Sequence, residues 1–238
     1  MKRSDWKRPS RARVRRIRDR LREMYGRPLN LPHRRPIDEL VRTILSQATS
    51  DRNRDRAFER LTSAFPDWEA VRDAPVGAIE EAIRPGGLSR QKAPRIKAVL
   101  SEIGEGMDLE WLETADRDVA MDYLTGLPGV GRKTAACVQV FTWDRPEIPV
   151  DVHVHRVGGR LGLFRENAPF EEAHDELLAL VDPDDAYEFH MNLIRHGREI
   201  CRPRPLCGDC ALRRMCPYGR RSHGRPAPGD RQAATPAT

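Results

Sequence analysis

The stretch Leu124-Thr125-Gly126-Leu127-Pro128-Gly129-Val130-Gly131-Arg132-Lys133-Thr134-Ala135-Ala136 decides how this chain folds. An apolar helix end runs into Pro-Gly-Val-Gly and a second helix starts at once, so two helices must turn tightly on each other. Gly129 and Gly131 allow positive φ and carry no side chain that would block a ligand. Successive backbone N–H groups can therefore point outward at the start of the second helix, an array that binds a phosphate oxygen. An ordinary helix-turn-helix with glycine caps would use the same two glycines.

Outward from this hairpin the spacing stays helical. Ile37, Leu40, Val41, Ile44 and Leu45 follow Pro36, and Ala57, Phe58, Leu61 and Phe65 precede Pro66, each set on one helical face. Further helices are expected around 76–83, 94–103, 119–124, 133–141, 173–181 and 187–200. Alternation suited to a sheet is absent, so the fold class is all-α, with about ten short helices. The Pro-, Gly- and Arg-rich residues 219–238 have no periodicity and are expected to form a disordered tail.

Charge is unevenly spread. Residues 1–27 carry 12 Lys/Arg against 3 Asp/Glu, residues 201–238 carry 8 against 2, and the middle carries 22 against 31. If the two ends meet they form a basic surface suited to a polyanion; arginine-rich ends can also serve only solubility. No apolar run approaches a bilayer span and no signal-peptide core follows the charged start, so a cytoplasmic protein without a membrane partner is expected.

The chain has 37 arginines and 5 lysines, so a lysine here asks for a reason. An arginine stays protonated, whereas a lysine near a helix N-terminus can shed its proton and act as a nucleophile. Lys133 stands at such a place. Eighteen residues later, Pro149-Val150-Asp151-Val152-His153-Val154-His155-Arg156-Val157 sets one acid among valines before a helix, where Asp151 reads as a helix cap or a catalytic carboxylate.

Cys201, Cys207, Cys210 and Cys216 offer four thiolates within a short span, after His196-Gly197-Arg198. Their spacing suits zinc or an iron–sulfur cluster equally. Cys137, inside the helix after the hairpin, reads as packing.

Taken together these motifs resemble the endonuclease III family of helix-hairpin-helix base-excision glycosylases, over residues 10 to 218. The hairpin matches the family's DNA-docking motif, Lys133 the position of its nucleophile, Asp151 its catalytic aspartate, and the cysteine loop its 4Fe-4S site. The resemblance thus favours that cluster over zinc, although the gap from Cys201 to Cys207 is one residue shorter than the family's usual one. Val152 departs from the family threonine.

The resemblance implies two helical lobes with the active-site cleft between them. A barrel lobe would span 29–143 with the hairpin at 124–136; a cluster lobe would combine 144–218 with the basic segment 1–28. It also implies a monomer acting on double-stranded DNA with damaged bases or abasic sites, associated with the nucleoid in a bacterium. The expected activity is removal of oxidised pyrimidines followed by strand cleavage through a lysine Schiff base. A monofunctional thymine or uracil mismatch glycosylase and a non-enzymatic DNA-binding module are the alternatives.

DNA contacts are expected from Gly129, Val130, Gly131, Arg132 and Thr134. Two loops are candidates to enter the duplex. One carries Gln47, one residue before the usual family glutamine, whose place Ala48 takes; the other carries Leu88 as an apolar wedge, the alternative being core packing of Leu88 and a helix cap at Ser89. Thr43 stands where adenine glycosylases have an acid.

Overall fold

In the computed structural model, which describes residues 6–221, the chain is helical throughout and has no strand among those residues. Among the described residues there are twelve α-helices: α1 (Arg11–Tyr25), α2 (Pro36–Ser46), α3 (Asp51–Ala64), α4 (Trp68–Asp73), α5 (Val76–Ile83), α6 (Ser89–Ile103), α7 (Arg117–Gly126), α8 (Arg132–Trp143), α9 (Val152–Leu161), α10 (Phe170–Leu180), α11 (Ala186–Glu199) and α12 (Pro217–Arg221). None is long and apolar enough to cross a membrane. The sequence reading passed over α4, whose six residues are too few to show a period; the Asp67 carboxylate caps it by accepting from the Ala70 amide. Helix α12 takes in the first three residues of the expected tail, and 222–238 lie outside the described residues.

The chain divides into two compact units. One runs from Leu29 to Pro149. Its apolar core is built from Leu40, Val41, Ile44 and Leu45 of α2, Ala57 and Leu61 of α3, Ile79 and Ile83 of α5, and Ile96, Val99 and Leu100 of α6, all buried. Helix α8 packs on α2, and every residue of it from Thr134 to Val140 is buried. A helix buried on all sides is a rigid mount, so the residue at its solvent end is fixed by the whole core.

This unit extends past the 143 boundary read from sequence because its last segment is stapled to the stretch before α7 and to the first residue of that helix. Arg145 Nη2 donates to the carbonyls of Glu113 and Ala115 at 2.7 and 2.5 Å. Arg117 Nε donates to the buried Glu147 carboxylate at 2.5 Å.

The other unit joins α1, with the residues up to Pro28, to the chain from Val150 onward. Helix α11 packs on both α9 and α1. Val14, Ile17 and Leu21 of α1 are buried. Its arginines change the expectation of a basic surface. Arg8 forks onto Glu176 with both contacts at 2.7 Å, and Arg22 onto Glu188 at 2.7 and 2.6 Å. Arg18 pairs with Asp185, and Arg15 lies 3.6 Å from Asp182. Much of the positive charge near the start of the chain is thus matched within this unit by acids of the negative middle. Arg202, Arg204, Arg214 and Arg220 stay exposed around the cysteine loop.

Candidate functional site

In the first unit the hairpin is a type II turn. The Val130 amide donates to the Leu127 carbonyl at 3.1 Å, Pro128 takes the position where its fixed φ fits, and Gly129 has φ +71. Gly131 is the N-cap of α8, extended and exposed, and no side chain caps the helix there. The amides of a first helical turn have no partner within the helix, and the helix dipole favours an anion at that end. Lys133 is the second residue of α8 and half-buried; Arg132 is half-buried and Thr134 buried.

The two candidate wedge loops belong to the same unit. Gln47 is the C-cap of α2 and half-buried, and the exposed Ala48 follows it in the left-handed region at φ 52. Leu88 is also left-handed, at φ 50, and is 49% exposed, so it is not a core residue. It, and not Ser89, occupies the N-cap of α6; Ser89 is already helical, so the expected serine cap does not form. Thr43 is buried and donates to Glu39 at 3.0 Å.

Sequence reasoning missed the residue that joins these loops. Lys92 is 2% exposed, and its ammonium donates to the carbonyls of Leu45 at 2.7 Å and Gly86 at 2.8 Å. Burial pushes its pKa below the ordinary lysine value. The only signal was its being one of so few lysines: a compact ammonium can bridge two carbonyls where a guanidinium fork would not fit.

In the second unit Asp151 is the N-cap of α9. Its Oδ1 accepts from the amides of His153 and Val154, both at 2.8 Å, while Oδ2 has no hydrogen-bond partner among the described residues. The cap fixes the carboxylate and leaves one oxygen available. Val152 is 63% exposed. His155 is a packing residue, stacked on Phe170 with ring centroids 4.4 Å apart and bonded to the Ala168 carbonyl.

Helix α9 also holds the cysteine loop. Arg156 donates to the carbonyls of Cys201 and Gly197, both at 2.9 Å. One turn later Arg160 reaches the carbonyls of Arg202 and Pro203 and lies 3.4 Å from Cys201 Sγ. Gly197 explains part of the His-Gly-Arg lead-in. A Cβ there would fall 3.0 Å from His153 Cβ and 3.2 Å from Val157, so α9 and α11 could not approach as they do.

Cys201, Cys207, Cys210 and Cys216 line one pocket, partly open to solvent, together with His196, Arg160 and Tyr218. No disulfide joins them. Among the described residues no three His, Cys, Asp or Glu side chains are arranged to hold a single metal ion. Burial pushes the Cys210 thiol up to about 11 and raises that of Cys216, with charge on the neighbouring cysteines adding to both. Four thiolates in this pocket therefore require a compensating cation. His196 is buried, shares a hydrogen bond of 3.0 Å between Nδ1 and the Tyr25 hydroxyl, and sets Nε2 3.5 Å from Cys210 Sγ.

Residues 41–183 match the HhH-GPD superfamily of base excision DNA repair proteins. Endonuclease III of Thermotoga maritima is 34% identical over 86% of this chain and 94% of its own length, and that of Synechocystis is 34% identical over 85% and 90%. This chain belongs to the endonuclease III family. It is a DNA glycosylase of base excision repair, as that family is. Among solved structures, a trapped covalent intermediate of endonuclease III with DNA superposes with a TM-score of 0.76 at 29% identity. That match covers 90% of this chain and 98% of the other.

Proposed function

We propose that the chain is a bifunctional glycosylase and abasic-site lyase, acting as a monomer in the cytoplasm on double-stranded DNA that carries oxidised pyrimidines or abasic sites. Lys133 is the nucleophile and Asp151 the assisting carboxylate. The observation that carries this reading is Lys133 itself: a primary amine in an arginine-rich chain, at the start of a buried helix directly after the hairpin. The similar solved structure of a covalent endonuclease III–DNA intermediate supports a covalent protein–DNA step in this fold.

The hairpin docks a backbone phosphate on amides of Gly129 and of Gly131 through Thr134, and the damaged nucleotide leaves the stack. The loops that carry Gln47 and Leu88 fill the space it vacates. As the glycosidic bond breaks, the base departs with the bonding electrons and takes up a proton, and Asp151 stabilises the positive charge left on the sugar. Lys133 Nζ bonds to C1′ and gives up its proton, for which Asp151 is the acceptor. Ring opening releases the ring oxygen as the 4′ hydroxyl and leaves an imine at C1′. The imine acidifies C2′; loss of a C2′ proton expels the 3′ phosphate, and water then frees the lysine.

The four cysteines suit a 4Fe-4S cluster better than zinc. What supports the cluster is the resemblance of the loop to that of the endonuclease III family, together with the pocket that all four cysteines line. When bound, such a cluster supplies the cationic centre that keeps the thiolates together. Arg156 and Arg160 fix the loop that carries it, and its exposed arginines offer phosphate contacts.

Borohydride reduction in the presence of thymine-glycol or abasic duplex tests the assignment. The expected result is a covalent protein–DNA adduct that Lys133→Gln abolishes. An unmodified wild-type protein that still removes the base would make it monofunctional, and a variant that nicks at the wild-type rate would remove Lys133 from the mechanism.

A further inference from the structure

Arg95 stands one helical turn (three residues) beyond Lys92 on α6 and is half-buried. Its Nη1 donates to Gln47 Oε1 at 2.7 Å. Its Nε and Cδ lie against the hairpin turn, where a Cβ on Gly129 would fall 2.7 and 3.0 Å from them. Gly129 is therefore required twice over, by its positive φ and by the arginine that covers it. Other partly buried arginines spend their donors more fully: Arg18 and Arg22 on carboxylates, Arg145 and Arg156 on two main-chain carbonyls each. Arg95 has no carboxylate within ion-pair distance among the described residues, and its one partner is a neutral amide. A guanidinium carries five donors; one bond to Gln47 fixes its fork without consuming its charge.

We propose that Arg95 contacts a DNA backbone phosphate, adding a cationic fork to the hairpin's backbone amides, with Gln47 as the residue that holds the fork in place. The proposal rests on the hairpin being the phosphate dock. A carboxylate at position 47 would cancel the charge, which is why the amide matters: Gln47 orients Arg95 and leaves it positive. The contact is sequence-independent, because a phosphate carries no base information.

Salt dependence of binding tests this directly, because each phosphate neutralised by a cationic side chain changes the slope of log K against log salt by about 0.9. Binding of the full chain to an undamaged duplex is measured by fluorescence anisotropy over a range of salt, with thermal unfolding confirming that each variant is folded. Arg95→Gln, which can keep an amide bond to Gln47, is expected to lower the slope by about 0.9, and Arg95→Lys to retain it. Gln47→Glu, which neutralises Arg95 without replacing it, is expected to lower the slope as Arg95→Gln does. Weaker binding by Arg95→Gln at the wild-type slope, or unchanged binding, overturns the proposal.

Gly131→Asp separates this outcome from failure of the hairpin reading. No atom lies within 4 Å of where its Cβ would be, and its extended backbone suits a capping aspartate, so the fold is kept while a negative charge enters the dock. Wild-type binding by that variant sinks the dock and the Arg95 contact together. Loss of binding by Gly131→Asp with an unchanged slope for Arg95→Gln and Gln47→Glu sinks the Arg95 contact alone.

Discussion

Lys92 and Leu45 are joined by a hydrogen bond of 2.7 Å from a buried ammonium to a main-chain carbonyl, and the same ammonium holds Gly86 at 2.8 Å. The loops that carry Gln47 and Leu88 are therefore pinned by one cation. Lys92→Met fills the same space without donors and strands two carbonyls, which costs on the order of 2 kcal/mol. The expected result is a lower urea midpoint, together with a loss of affinity for lesion-containing duplex larger than the loss for undamaged duplex. Equal losses for both duplexes would mean that the pinned loops do not act at the lesion.

Asp151 has two separable tasks. Asparagine also caps helices, so Asp151→Asn is expected to keep the wild-type stability, while Asp151→Ala loses about 1 kcal/mol with the cap. Both should lose base excision by about a hundredfold or more, because neither carries the charge. Single-turnover excision beside thermal unfolding reads the two effects apart; retained excision in Asp151→Asn would reduce the residue to a cap.

The cap was legible in the sequence as an acid before an apolar helix, and so was the turn, since Pro128-Gly129 admits few geometries. The pairing of α1 with α10 and α11 was not, because Arg8 and Glu176 are distant in sequence and nothing local to either names the other. Ser89 was read as a cap because serine caps are common. The chain instead places Leu88 there in a left-handed conformation, a choice that local propensity argues against and that strained functional loops often make. Lys92 and Arg95 sat within a stretch already noticed for Leu88, but which atoms they would meet depended on where α2 and the hairpin arrive.

Glu147 gives a pH signature. Burial raises its carboxyl above the ordinary value of 4.5, against the pull of Arg117, and Oε2 has no partner. With the folded value above the unfolded one, the folded state holds the proton more tightly. The stability this contributes is complete below pH 4.5 and is lost as pH rises through the folded value. Glu147→Gln cannot ionise, so its stability relative to wild type should climb as pH rises from 4.5 through the folded value, followed by urea midpoints. A difference that is flat across that range would show no such shift.

Arg160 holds the first cysteine of the loop through its neighbours' carbonyls. Arg160→Ala should leave the four thiols in place but let the metal centre go more readily, seen as faster bleaching of its visible absorption under a chelator. Cys210→Ser should lower the iron bound per chain in anaerobically purified protein. Iron-free wild-type protein containing zinc would overturn the cluster assignment.

Helix α1 meets its partners late. Its Arg11, Arg18 and Arg22 bond to residues 163 to 168 positions further on, and at a typical 5–20 residues per second a ribosome needs roughly 8 to 33 s to deliver them. The segment from Leu29 to Pro149 emerges in full during that wait and can complete its own core first. A helix so rich in arginine stays soluble while its partners are being made, so the order of synthesis and the charge of the first segment suit one another.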